Sequence, residues 1–142
     1  MNDKGKNILL VEDNLADAKL TMVTIKENLP NVNLNIVTNG IEAIDFLTNV
    51  ENNSNKPDLI LLDINLPKKN GFEVLSEIKQ NPFLKSIPVI MLTSSKADED
   101  ISLAYNLHAN CYITKPLDFI KFVEVVKSIE NFWFNLAKLP KE

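Results

Sequence analysis

The sequence holds one cysteine (Cys111) and one histidine (His108) in 142 residues. A lone thiol excludes an internal disulfide framework, and without a Cys/His cluster no zinc site can be built. Positive charge is not in excess: fifteen Lys and Arg face nineteen Asp and Glu, a formal net charge of −4. Such an acidic domain lacks the basic face that non-specific binding to nucleic acid or anionic membrane needs. Long apolar runs are also missing. Residues 1–7 are polar, the run Ile8 to Val11 is too short for a signal h-region, and no stretch approaches a membrane span. The expectation is a cytoplasmic globular protein with no direct contact to nucleic acid or membrane. With 45% hydrophobic residues, the chain is long enough for one sizeable core and too short for two.

What is present is an alternation of short apolar runs with longer segments of helical period. Ile8 to Val11 reads as a buried strand, bounded by Glu12-Asp13-Asn14. Leu15, Ala18, Met22, Ile25 and Leu29 then mark one helix face, ended by Pro30-Asn31. Leu34 and Ile36 alternate with Asn33 and Asn35, as in an edge strand half open to water. A short amphipathic helix spans Gly40 to Val50, and a solvated loop spans Glu51 to Lys56. Leu59 to Leu62 is the most apolar run and is expected at the centre of a sheet. After the turn Leu66 to Gly71 come a helix through Phe72, Leu75 and Ile78, a strand at Val89 to Leu92, and a helix from Asp98 to Leu107. A short strand at Cys111 to Ile113 and a long helix introduced by Pro116 complete five βα units. Helices between all strands imply parallel pairing with right-handed crossovers, hence an α/β fold with helices on both faces of the sheet. For five strands with a polar second one, the flavodoxin-like order 2-1-3-4-5 is expected.

In such sheets ligands bind beyond the carboxyl ends of the strands, where the strand order reverses. Glu12 and Asp13 follow the first strand, Asp63 the third, Thr93-Ser94-Ser95 the fourth and Thr114-Lys115-Pro116 the fifth. Carboxylates on neighbouring strands, about 5 Å apart, repel by roughly 3 kcal/mol at an effective dielectric near 20. Three of them call for a cation, and hard oxygen ligands without Cys or His suit Mg²⁺. An acceptor carboxylate, a divalent ion, a lysine and a hydroxyl together suit phosphoryl transfer to an aspartate. Taken singly, an acidic pair after a strand is more often helix capping, and Lys-Pro is usually a turn. The constellation carries the reading.

The same residues resemble the receiver domain of two-component response regulators over almost the whole chain. The matching motifs are Leu-Val-Glu-Asp-Asn (10–14), Asn-Gly-x-Glu-Ala (39–43), Pro-Asp-Leu-Ile-Leu-Leu-Asp-Ile-Asn-Leu-Pro (57–67) with Gly71, Ile-Pro-Val-Ile-Met-Leu-Thr (87–93) and Tyr-Ile-Thr-Lys-Pro (112–116). The resemblance implies a single receiver domain over residues 1–142, its core at about 6–130. It implies that Asp63 accepts a phosphoryl group from a phosphohistidine of a sensor kinase. Asp13 and Asp63 would bind Mg²⁺ directly, Glu12 through water, and the backbone carbonyl of Asn65 would be the third protein ligand. Thr93 would hydrogen-bond the phosphoryl group, Lys115 would pair with it, and Tyr112 would occupy the aromatic switch position. Asn65 and Ser95 fall where dephosphorylation is tuned in this family. Such a chain is a switch that promotes its own phosphorylation and dephosphorylation, not an enzyme acting on a separate substrate. Leu-Pro-Lys-Lys-Asn-Gly-Phe-Glu-Val-Leu (66–75), Ala-Asn-Cys-Tyr-Ile-Thr-Lys-Pro (109–116) and Asn-Phe-Trp-Phe (131–134) resemble single-domain regulators associated with phytochrome-type histidine kinases.

Competing readings are weaker. A flavin carrier needs a Gly/Ser/Thr-rich phosphate loop where Glu12-Asp13-Asn14 stands. A hydrolase with an aspartyl nucleophile lacks the second acid expected two residues after Asp63, and a phosphorylation-independent docking module would not need the acceptor, lysine and hydroxyl. Cys111 reads as a small strand residue, His108 as a left-handed helix stop, Asp98-Glu99-Asp100 as a complement to a helix dipole, and Lys68-Lys69 as a solvated turn or a steering patch. The C-terminal helix, Asp118 to Lys138, would run about 30 Å against roughly 17 Å for a five-residue strand. Its stripe of Phe119, Phe122, Val123, Val126, Ile129, Trp133 and Leu136 therefore overhangs the sheet, and a homodimer or kinase-docking surface is expected there.

Overall fold

The computed structural model describes residues 6–49 and 56–115, together with Ile120 and Glu124. Strands β1 (Asn7–Val11), β2 (Asn33–Val37), β3 (Leu59–Leu62), β4 (Val89–Thr93) and β5 (Cys111–Thr114) alternate with helices α1 (Leu15–Asn28), α2 (Gly40–Asn49), α3 (Gly71–Gln80) and α4 (Asp98–Asn106). All pairings are parallel and the order is β2-β1-β3-β4-β5, as the alternation and the polar β2 predict. The C-terminal stripe lies outside the described residues.

The two-residue period of the strands divides the core into two layers. Leu9, Val11, Ile60, Leu62, Val89 and Met91 pack with Ala43 and Leu47 of α2, Val74, Leu75 and Ile78 of α3, and Ala104 of α4. Ile8, Leu10, Leu59, Leu61, Ile90, Leu92 and Ile113 face the other way, toward Ala18 and Ile25 of α1. Strand β3 is buried throughout, which places its carboxyl end, and Asp63, in the middle of the sheet edge.

Helix α1 departs from the expected stripe. Leu15, its first residue, is 77% exposed, whereas Thr21 and Thr24 are buried. A residue at the N-terminal tip stands beyond the strand ends with no sheet beneath it. The buried face is rotated toward the two threonines, and Thr24 satisfies its hydroxyl on the Leu20 carbonyl at 2.9 Å. Helix α4 ends as expected at His108, which adopts φ 73°. His108 N donates to Tyr105 O and Ala109 N to Ala104 O, both at 2.9 Å, the paired bonds of a Schellman cap.

The segment between β3 and α3 is held from two sides by glycines. A Cβ on Gly71 would lie 2.1 Å from the Asp63 carbonyl oxygen, and one on Gly40 would lie 1.9 Å from the Lys69 carbonyl oxygen. Asn70 and Glu73 close a capping box over the start of α3. The turn costs one strained residue, Lys68, at φ 71°. Lys68→Gly is therefore expected to stabilise the fold by about 1 kcal/mol, read as a raised urea midpoint with unchanged slope. At the far end of the sheet, Lys79 Nζ donates to the carbonyls of Lys85 (3.1 Å) and Ile87 (2.8 Å) and to Asn110 Oδ1 (3.3 Å).

Candidate functional site

Strand register assembles the site. Val11 is level with Leu62, Leu62 with Met91 and Met91 with Tyr112, so one step further brings Glu12 beside Asp63. Glu12, Asp63 and Lys115 continue the parity of the α1 layer, Thr93 and Tyr112 that of the opposite layer. Glu12 is 1% exposed and Asp63 is buried, while Asp13 is open to solvent. Each offers a carboxylate oxygen, and these oxygens lie within 4.8 Å of one another.

Lys115 enters this cluster from the end of β5. Its ammonium donates to Glu12 Oε1 at 2.5 Å, Asp17 Oδ2 at 3.0 Å and Asp63 Oδ2 at 3.2 Å. Burial, reinforced by the charge of Asp63, raises the Glu12 carboxyl to about 7 against the opposing Lys115 hydrogen bond. For Lys115 burial acts downward, but the hydrogen bonds of Glu12 and Asp17 and the charges of Asp63 and Glu12 outweigh it, so its pKa is raised. One ammonium thus serves three carboxylates, and Asp13 adds a fourth beside two of them. That imbalance, and a donor set made only of oxygen, fit a hard divalent cation held by Glu12, Asp13 and Asp63.

The remaining expected residues surround this centre. Asn65 is exposed on the turn after β3, and its amide donates to Asp63 Oδ1 at 3.4 Å. Thr93 is fully buried, its hydroxyl accepts the Ser95 amide at 3.3 Å, and its carbonyl accepts the Lys115 amide at 2.8 Å. The hydroxyl of half-buried Tyr112 donates to the Ser95 carbonyl at 2.9 Å, and the Ser95 hydroxyl donates to Asp100 Oδ2 at 2.6 Å. Tyr112 and Thr93 are thus joined through one residue of the β4–α4 loop. Lys69 is paired with Glu77, which ties it to α3. Cys111 is half-buried, and burial pushes its thiol up, away from the reactive thiolate.

Asp17 is the residue that sequence reasoning misses. It lies at the third position of α1, where an acid also complements the helix dipole, and its partner is 98 residues away. Its spacing from the capping Asn14 was the available signal, but that pattern points to a cap and not to a lysine on another strand.

A five-stranded 2-1-3-4-5 sheet with three carboxylates and a lysine at its carboxyl edge defines a response regulator receiver, and residues 8–127 match the model of the response regulator receiver domain, so the chain belongs to this family of two-component signalling. It is 47% identical over 137 residues to response regulator Rcp1 of Synechocystis sp., covering 95% of this chain and 93% of that protein. Among solved structures, the phosphorylated cyanobacterial phytochrome response regulator RcpA is 45% identical with a TM-score of 0.80, covering 96% of this chain and 99% of that one. The Mn²⁺-bound form of Rcp1 is 45% identical with a TM-score of 0.74 and the same coverage. Among the described residues, no helix is long and apolar enough to cross a membrane.

Proposed function

We propose that this chain is the phosphoacceptor of a two-component relay and that Asp63 takes the phosphoryl group. The convergence of Glu12, Asp13 and Lys115 on Asp63 supports this reading most directly. The donor is a phosphohistidine on a sensor histidine kinase of the phytochrome type, in keeping with the similarity to Rcp1 and RcpA. An Asp63 carboxylate oxygen attacks phosphorus; the new P–O bond forms as the P–N bond breaks. The bonding pair leaves with the imidazole nitrogen, which takes a proton from solvent. Lys115, already within reach of Asp63, pairs with the phosphoryl oxygens. Asp13, Asp63 and the Asn65 carbonyl would hold Mg²⁺ directly, and Glu12 through water. The ion supplies neutralisation of the negative charge on the transferring group.

The switch follows from the Thr93–Ser95–Tyr112 connection. Drawing the Thr93 hydroxyl toward a phosphoryl group removes the acceptor of the Ser95 amide, and Ser95 carries the Tyr112 contact. The readout is a changed surface for a protein partner in the cytoplasm, with turnover of the acyl phosphate by the same site and no separate substrate. A docking module that never takes phosphate would leave a buried acid pair and its lysine without a role.

With acetyl phosphate and Mg²⁺, the protein is expected to gain one acid-stable, hydroxylamine-labile phosphoryl group that peptide mapping places on Asp63. Label on any other residue would reject the assignment. Homodimerisation through the C-terminal apolar stripe belongs to the same proposal and rests on sequence alone. Sedimentation equilibrium should then return a dimer mass for wild type and a smaller one for Trp133→Ala; a concentration-independent monomer for both would dismiss it.

A further inference from the structure

We propose that Asp17 is a positioning residue for Lys115: it draws the ammonium toward α1 and so keeps the Glu12–Asp13–Asp63 cluster open to a divalent cation. The inference rests on the reading of the site given above. An ammonium has three N–H donors, and those of Lys115 go to Glu12, Asp17 and Asp63. Glu12 and Asp63 are two of the three carboxylates that gather within 4.8 Å, and Asp17 is not among them. The pull of Asp17 is therefore directed off the cluster. Without it, the ammonium has only the two buried carboxylates to bind, and it competes with a divalent cation for the same oxygens.

Local structure leaves Asp17 available for this role. In α3 the acid at the third helical position, Glu73, turns back and accepts the Asn70 cap amide at 2.9 Å. In α1 the corresponding cap amide, that of Asn14, donates to Glu12 Oε2 at 3.2 Å. The acid at the third position of α1 is thereby released from the capping role, and its side chain, 41% exposed, lies on Lys115 instead. Its own amide still donates to Asn14 Oδ1 at 3.0 Å, so the cap does not depend on the carboxylate.

The test is Mn²⁺ binding by isothermal titration calorimetry in the absence of any phosphoryl donor. Asp17→Asn is expected to bind Mn²⁺ about two- to fivefold more weakly, the range of a partly exposed ion pair. Asp17→Glu should restore most of the affinity, and melting curves check that both variants are folded. In a Lys115→Met background the Asp17→Asn change should have almost no effect, because the residue it acts through is gone. Two results overturn the proposal: unchanged affinity in Asp17→Asn, or the same weakening with and without Lys115, which would mean that the Asp17 charge acts on the cation directly. A wild type that takes up no Mn²⁺ would instead bring down the functional reading itself, along with this one.

Discussion

Asp63→Asn is expected to accept no phosphoryl group and yet to melt a few degrees above wild type in metal-free buffer. Both effects come from the same charge. With carboxylate oxygens within 4.8 Å, Asp63 is repelled by Glu12 and by Asp13, each by roughly 3 kcal/mol at an effective dielectric near 20. Its ion pair with Lys115, at 3.2 Å, returns roughly 5 kcal/mol on the same scale. At pH 8, where Glu12 is mostly ionised, the balance favours the neutral amide by about 1 kcal/mol, and its oxygen still accepts from Asn65. Saturating Mg²⁺ should reverse the order, since a cation that binds only the folded state stabilises the protein with the stronger site. Calorimetry of both proteins in EDTA and in MgCl₂, with acetyl phosphate labelling alongside, reads the two effects. A variant less stable than wild type in EDTA would show that the acids are not crowded as described.

Lys115→Met is expected to lose stability instead. It removes the cation 2.5 Å from Glu12, which is 1% exposed. An ion pair of this kind broken from one side costs about 3–5 kcal/mol, unless the orphaned acid takes a proton. Glu12 is already raised from 4.5 to about 7, and loss of Lys115 raises it further. A carboxyl whose folded pKa lies above its unfolded value stabilises fully below the unfolded value, and that contribution is lost as pH rises through the folded one. The gap between wild type and Lys115→Met should therefore be smallest below about pH 6 and widen by about 1 kcal/mol between pH 7 and pH 8, because one proton is worth at most about 1.4 kcal/mol per pH unit. Mg²⁺ should narrow it. Urea denaturation in EDTA across this range measures the gap, and a gap independent of pH would refute the assignment of the buried charge to Glu12.

Strand order and the acid–lysine edge were legible because they depend on local signals. Apolar runs of three or four residues, each followed by a polar residue, state where a strand ends and what stands there. His108 was legible for a similar reason, since a helix stop without glycine needs a residue that tolerates positive φ. On the α1 face Ala18 and Ile25 are buried as expected, but Leu15 was misread, because periodicity does not say where the sheet ends beneath a helix and Leu15 lies past that edge. Nor does apolar spacing anticipate threonines that satisfy themselves on the helix backbone, as Thr24 does. Asp17 was hidden by distance along the chain: its function depends on a lysine brought over by β5, and no local pattern encodes that meeting.

The two glycines flanking the β3–α3 turn give Asp63 an asymmetric setting. On one flank, backbone atoms meet backbone atoms with no space for even a methyl group, behind Asp63 and again behind Lys69. On the other flank, the β4–α4 loop is held by hydroxyl hydrogen bonds from Tyr112 and Ser95, which exchange readily with other acceptors. A phosphoryl group on Asp63 would thus meet close-packed backbone on one side and a hydroxyl-bonded loop on the other, and its push would be directed toward α4 and β5.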